Sequence, residues 1–436
     1  MAEPRIVIAS REHLWWLLLE AAELEHMIMC QYLFAEFSLK SGTDEGLTGE
    51  QAEAVERWRK TLGGIAVEEM LHLALVYNLL TAIGGAPTFN RPNFPQLSGY
   101  FPARLQLDLM RFGDRALRHF LYLERPEGME LQPAEGFVPC APPRDPVQVE
   151  EIMPRGQEYD TVGRLYRGIA EGLRGLVDSL GKSGVFIGLP AAQATPERFR
   201  WPQLIAVTDL ESALAAVERI IEQGEGARGV WRDAHYGRFL AIWEEYHDLR
   251  QRDPSFDPAR PVVPAYTRQP FDIPTPQTVI TITDSRTART AEVAALGYEV
   301  VLHLLLRFFT HTEETAEQLE MLVDAAIDLM VSVVRPLGVA LTELPVGPPH
   351  DGQTAGFTFE MYYIMTNAVP WRDAAWTLLH ERAALLAESC ADLAAFQGAP
   401  QAVRDAGVRA TAIAATLAAA RNPHYPHHPP APPASP

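Results

Sequence analysis

Cysteine is scarce in this sequence. Cys30, Cys140 and Cys390 are the only three, far apart and without paired spacing, so neither a disulfide framework nor a thiolate zinc site is suggested and a reducing cytoplasm fits best. The N-terminus has no basic region followed by a clean apolar core, and no uncharged run is long enough to span a bilayer, which speaks against a signal peptide and a membrane partner. Basic residues are outnumbered, 37 against 56 acidic ones, for a formal net charge of -19. That balance argues against nucleic acid as a partner. There is no glycine-rich phosphate loop, no Gly-x-Ser-x-Gly elbow and no plausible triad order. What remains is a chain of 436 residues, enough for one large domain or two. A small-molecule substrate is the expected partner, with a homo-oligomer left open.

The strongest feature present is a helix predicted over Ala52 to Ile83. Its apolar stripe runs Val55, Trp58, Leu62, Ile65, then Glu69 and His72, then Val76, Leu79 and Ile83, in the steps of three and four that one buried face requires. A carboxylate in mid-stripe costs several kcal/mol, roughly, unless it is paired or bound to a cation. Glu69 and His72 form a Glu-x-x-His arrangement, which sets a carboxylate and an imidazole side by side on one face. Taken alone, the motif fits a hydrogen-bonded core pair as well as a metal site. The metal reading needs carboxylates from neighbouring helices.

An earlier helix, from Ser10 to about Lys40, has a similar stripe through Leu14, Leu18, Ala21, Glu25, Ile28, Tyr32 and Ala35, again with one carboxylate near its middle. A short polar loop makes these two helices antiparallel neighbours. After Gly84-Gly85 and Pro87, residues 86–202 are rich in proline and turn residues. This stretch reads as a partly irregular crossover forming a substrate-side cap and supplying no metal ligand, so that shortening it would harm turnover before metal binding. A third helix is expected from a capping box at Thr208 to Glu211, ending at IIEQGEGARG, where Glu222 and Glu225 are spaced to share a face. A fourth opens at His235. If these two helices form a hairpin, Glu222, Glu225 and His235 converge, with Glu218 one turn deeper.

Proline-rich sequence past Arg250 marks a boundary. The expected organisation is a bundle over 1–255, including the 86–202 insert, a C-terminal helical subdomain over 256–421, and a low-complexity disordered tail over 422–436. Glu299 and His303 form an i,i+4 pair without flanking carboxylates and read as an ordinary helix pair.

Together, Glu25, Glu69, His72, Glu222, Glu225 and His235 make the inventory of a dimetal site inside an all-α four-helix bundle. Carboxylates and imidazoles without thiolates suit two iron ions, with manganese as the alternative. Tyr32 is the candidate catalytic residue, either a hydrogen-bond donor to the ligands or a redox-active neighbour, unless it is plain core. The runs LEAAELEHMIMCQYLFAEFSL, EEMLHLALVYNLLTAIGGAP, IIEQGEGA with AHYGRFL, and TAGFTFEMYY resemble the ferritin-like domain of the iminophenyl-pyruvate dimer synthases of violacein, rebeccamycin and staurosporine assembly. The resemblance implies a ferritin-like bundle with metal at Glu25, Glu69, His72, Glu222 and His235, and oxidative chemistry on amino-acid-derived imines in secondary metabolism. Three function classes follow: an oxidase or oxygenase of a small organic molecule using dioxygen or peroxide, a dimanganese catalase-like enzyme, and a non-enzymatic iron-handling protein.

Overall fold

Ser10 accepts the backbone N–H of His13 and starts α1, Arg11–Ser38, and Thr48 and Gln51 cap each other at the start of α2, Gly49–Ala82. The computed structural model describes residues 5–96, 101, 105–137, 145–226, 230–270, 279–361 and 368–421. Between Ala21 and Leu39 only Glu23 and Leu33 escape burial, so this part of α1 is core on all sides rather than amphipathic. α2 is long and apolar enough to cross a membrane, but its most apolar window is 83% buried inside the molecule. Its hydrophobicity is used in packing.

The segment 86–202, expected to be a crossover forming a cap, also contains bundle helices, which corrects the reading of all of it as a cap. α3, Asp114–Leu123, and α4, Val162–Leu180, run in series antiparallel to α1. The Phe112 N–H donates to Ser38 Oγ at 2.8 Å, His119 meets Gln31 at 3.1 Å, and the Tyr166 hydroxyl donates to Glu25. Further along, a Cβ on Gly172 would lie 2.3 Å from Ile8. The column is split between Leu123 and Val162; α4 carries a buried stripe through Leu165, Ile169, Leu173 and Leu176, whereas α3, with 10 residues, is too short to show a sustained one.

Two short helices, α5, Lys182–Val185, and α6, Pro196–Phe199, lead to α7, Leu210–Gly224, and α8, His235–Arg252. The capping box of α7 is Asp209 with Ser212, one residue later than the sequence suggests. These helices do not form the expected hairpin. Gln223 on α7 meets His72 at 3.2 Å, Glu245 on α8 accepts the Trp58 indole N–H at 2.7 Å, and Asp253 accepts from Gln51 at 2.9 Å. Both helices therefore descend antiparallel to α2 as one interrupted column. α7 packs on α4, and α8 packs on α3. The bundle thus has two unbroken columns and two broken ones.

Beyond it, β1, Val262–Tyr266, pairs in parallel with both β2, Ile280–Thr281, and β3, Thr354–Gly356, in the order β2-β1-β3, with Ala265 opposite Ile280 and Val263 opposite Ala355. Helices α9, Ser285–Phe309, α10, Ala316–Leu329, α11, Arg335–Leu341, α12, Arg372–Ala394, and α13, Gln401–Ala420, complete the chain. Pro336 does not end α10. Met330–Val334 widens into a π-turn that leads on into α11, relieving the clash a proline ring makes with the preceding turn. These elements cover the other face of α1, so closely that a Cβ on Gly338 would lie 2.6 Å from Phe37 and one on Gly356 2.2 Å from Phe34. Glu299 faces both His303, at 3.5 Å, and Arg382, at 3.4 Å. The expected tail over 422–436 lies outside the described residues.

Candidate metal centre

The stripe of α2 carries Glu69 and His72 to the middle of the bundle, where both are 2% exposed. Glu69 lies between two imidazoles. One carboxylate oxygen is 2.9 Å from His72 Nδ1 and the other 2.9 Å from His235 Nδ1. Glu25, from α1, stands 3.5 Å from His72 Nδ1, and Glu124, at the end of α3, stands 3.6 Å from His235 Nδ1. The arrangement is close to two-fold. Glu25, Glu69 and His72 form one group, and Glu69, Glu124 and His235 the other, each with donor atoms within 4.8 Å of one another. The symmetry extends outward, since Tyr166 donates to Glu25 and Tyr32 to Glu124.

Carboxylates face imidazoles throughout this cluster, and each perturbs the other. Burial alone would raise the Glu69 carboxyl, but the charges of His235 and His72 overcome it and hold Glu69 well below the usual range. Against its own burial penalty, His72 is pushed up to about 10 by Glu69 and Glu25, and His235 is raised well above its ordinary value by Glu69, Glu124 and Glu68. Glu25, desolvated and beside Glu69, is pushed up to about 8. Glu69 Oε1 and His235 Nδ1 are buried yet make no well-aligned hydrogen bond. Inward-facing oxygen and nitrogen donors in two adjoining groups fit two hard or borderline metal ions.

Of the residues singled out from sequence, Glu25, Glu69, His72 and His235 converge here, with Tyr32 in contact through Glu124. Glu222 and Glu218 are exposed, and neither joins either group. Their expected convergence rested on the hairpin that does not form. Glu225 is buried beside the cluster, but its carboxylate takes Arg167 and the Glu127 N–H, at 3.0 Å for the latter, and lies against Gly163. It stays out of both groups. Glu124 was missed because it lies in the supposed cap, where no ligand was expected, and because it follows the last turn of α3. A signal exists: a carboxylate at a helix C-terminus faces the negative end of the helix dipole and calls for a positive partner. His235, at the N-terminus of α8, is misplaced in the opposite sense. Glu225, ending α7, has the same problem as Glu124, which Arg167 resolves.

A small cavity of about 20 Å³ reaches the cluster, lined among others by Glu25, Glu69, His72, Glu124, Tyr166 and Glu225. It has room for a water or a diatomic molecule.

A broken-column bundle with paired carboxylate–histidine groups defines a class, and a family model described as Ferritin-like matches residues 18–244, more than half of the chain. The chain belongs to the ferritin-like family. It is similar to two iminophenyl-pyruvate dimer synthases. One is the dichlorochromopyrrolate synthase of Lentzea aerocolonigenes, 27% identical over 81% of this chain and 36% of that protein. The other is the 2-imino-3-(indol-3-yl)propanoate dimerase of Chromobacterium violaceum, 27% identical over 80% and 34%. The chain thus spans about a third of the length of these curated relatives. A ferritin-like protein from Caulobacter vibrioides superposes with a TM-score of 0.45 at 17% identity, covering 74% of this chain and 95% of that one.

Proposed function

We propose that the protein is a dimetal oxidoreductase, with iron as the expected metal, that uses dioxygen or peroxide to oxidise a small amino-acid-derived imine in secondary metabolism. The observation that carries this reading is the Glu69 carboxylate, which offers one oxygen to each of two histidine-containing groups. The names of the two relatives supply the substrate class.

When bound, a pair of metal ions supplies two-electron redox capacity at neutral pH. Glu69 would be shared between them, Glu25 with His72 completing one position and Glu124 with His235 the other. The rest is done by this chain's own groups. Tyr166 and Tyr32 hold the outer carboxylates in place and keep a proton on each phenol within reach of a Glu25 or Glu124 oxygen. The surrounding apolar residues exclude bulk water, which strengthens every charge interaction inside. The cavity beside Glu25, Glu69, His72 and Glu124 would admit the oxidant.

Anaerobic loading with iron(II) or manganese(II), followed by elemental analysis, should find about two ions per chain. The iron form should then consume dioxygen or peroxide faster when the imine of indole-3-pyruvate is supplied. Zinc alone, or no stoichiometric metal, overturns the dimetal reading. Rapid peroxide disproportionation by the manganese form without organic substrate would favour the catalase-like reading, and retained metal without turnover the iron-handling one.

A further inference from the structure

The near two-fold symmetry ends at the far side of each imidazole. His72 Nε2 meets the side-chain oxygen of Gln223 at 3.2 Å, whereas His235 Nε2 meets the Glu68 carboxylate at 2.9 Å. We infer that the two metal positions are inequivalent, with Glu68 making the His235 position the tighter one and the His72 position the exchangeable, oxidant-facing one. This rests on the dimetal reading above.

The chemistry of the two partners differs in kind. An ionised carboxylate only accepts hydrogen bonds, so Glu68 requires the proton on His235 Nε2 and leaves the Nδ1 lone pair pointing at Glu69 and Glu124. Its negative charge also strengthens the imidazole as a donor to a cation. Arg238 shares the same Glu68 oxygen, which offsets part of that charge and leaves the acceptor character intact. Gln223 is neutral, and its amide can turn to present either oxygen or NH2. Both partners are partly exposed, but Gln223 is tied on its far side only to Gln203, at 3.4 Å, whereas Glu68 is held by Arg238. The tautomer of His72 is therefore less firmly set. Access differs in the same direction, because the cavity is lined by Glu25, Glu69, His72 and Glu124 and not by His235. Glu68 is a positioning residue. It follows directly before the shared Glu69 on α2 and points past the cluster to the outside of the opposite ligand.

Anaerobic calorimetric titration of the full chain with iron(II) tests this without reference to turnover. The wild type should bind two ions in two resolved steps. Glu68→Ala should weaken the tighter step by about ten- to a hundredfold and leave the weaker one in place. Gln223→Ala should affect only the weaker step, and by less. Gln223→Glu should tighten that step and bring the two affinities together. Glu68→Gln, which keeps the shape and an acceptor, should fall between wild type and alanine, and it carries the test if the alanine variant does not fold. Two ions bound by the wild type with one common affinity, or a Glu68→Ala effect spread equally over both steps, overturns the inference while leaving the dimetal reading intact. Binding of no iron by the wild type overturns both.

Discussion

Two columns of the bundle are unbroken and two are interrupted, and they deliver ligands in different ways. α1 and α2 present Glu25, Glu69 and His72 from mid-helix, where the neighbouring turns fix each side chain on a buried face. The α3–α4 and α7–α8 columns break at the level of the cluster and present Glu124 and His235 from helix ends. An unbroken helix places a ligand by periodicity. A broken one places it by where the chain leaves or enters, and the same break lets in the cavity, with Gly163, Gly224 and Glu225 on its wall. The rigid half of the site holds the shared carboxylate, and the interrupted half supplies access.

The largest effect should come from removing the unbroken half. Glu69→Leu with His72→Leu deletes the shared carboxylate and one imidazole, and should abolish binding of at least one ion. Metal bound a hundredfold above its Kd stabilises the fold by about 2.7 kcal/mol. Chelation should therefore lower the Tm of the wild type clearly and that of the double variant little. A satisfied core pair predicts instead an equal response to chelator in both proteins, with the double variant as stable or more so because the desolvation cost has gone.

A smaller effect should separate the two carboxylates at helix ends. Glu124→Gln should lower the iron content from two ions toward one, while Glu225→Gln, whose partners are Arg167 and a backbone N–H, should leave it unchanged. Equal losses in both variants would mean that Glu225 moves onto the metal once it is loaded, and that the interrupted half is as well defined in its ligands as the unbroken half is.

The same contrast explains what could be read from sequence. Glu25, Glu69 and His72 were legible because each interrupts an apolar stripe long enough to fix its phase. His235 was legible only as a histidine opening a helix, and its partner was misassigned. The expectation for Glu222 rests on a hairpin of α7 and α8, yet spacing along one helix carries no information about the direction of the next. α8 continues the column of α7 instead of reversing it. Glu124 was hidden by proline-rich sequence on its far side, which makes a ten-residue bundle helix look like part of an irregular cap. Glu68 could not be distinguished from a solvated charge, since its role depends on His235, 167 residues away.

The smallest effect concerns the stability of the short column itself. His119 on α3 is 1% exposed, bonded to Gln31 at 3.1 Å and stacked on Phe137 at 4.0 Å between centroids. Burial, helped by the charge of Arg115, holds its imidazole down to about 3. A folded-state value below the unfolded one means that, in acid, the unfolded chain binds the extra proton. The stability from this group is therefore complete above about pH 6.5 and is lost progressively as pH falls toward 3. His119→Asn, which keeps a polar partner for Gln31 without the titration, should start less stable at pH 7 through lost packing on Phe137. Its Tm should then fall less steeply than the wild type's between pH 6.5 and 4. Metal content at pH 7 should be unaffected in that variant, because His119 contacts Gln31, Phe120 and Phe137 and none of the ligands. Parallel Tm profiles in the two proteins would show that protonation of α3 is not what loosens the interrupted column in acid.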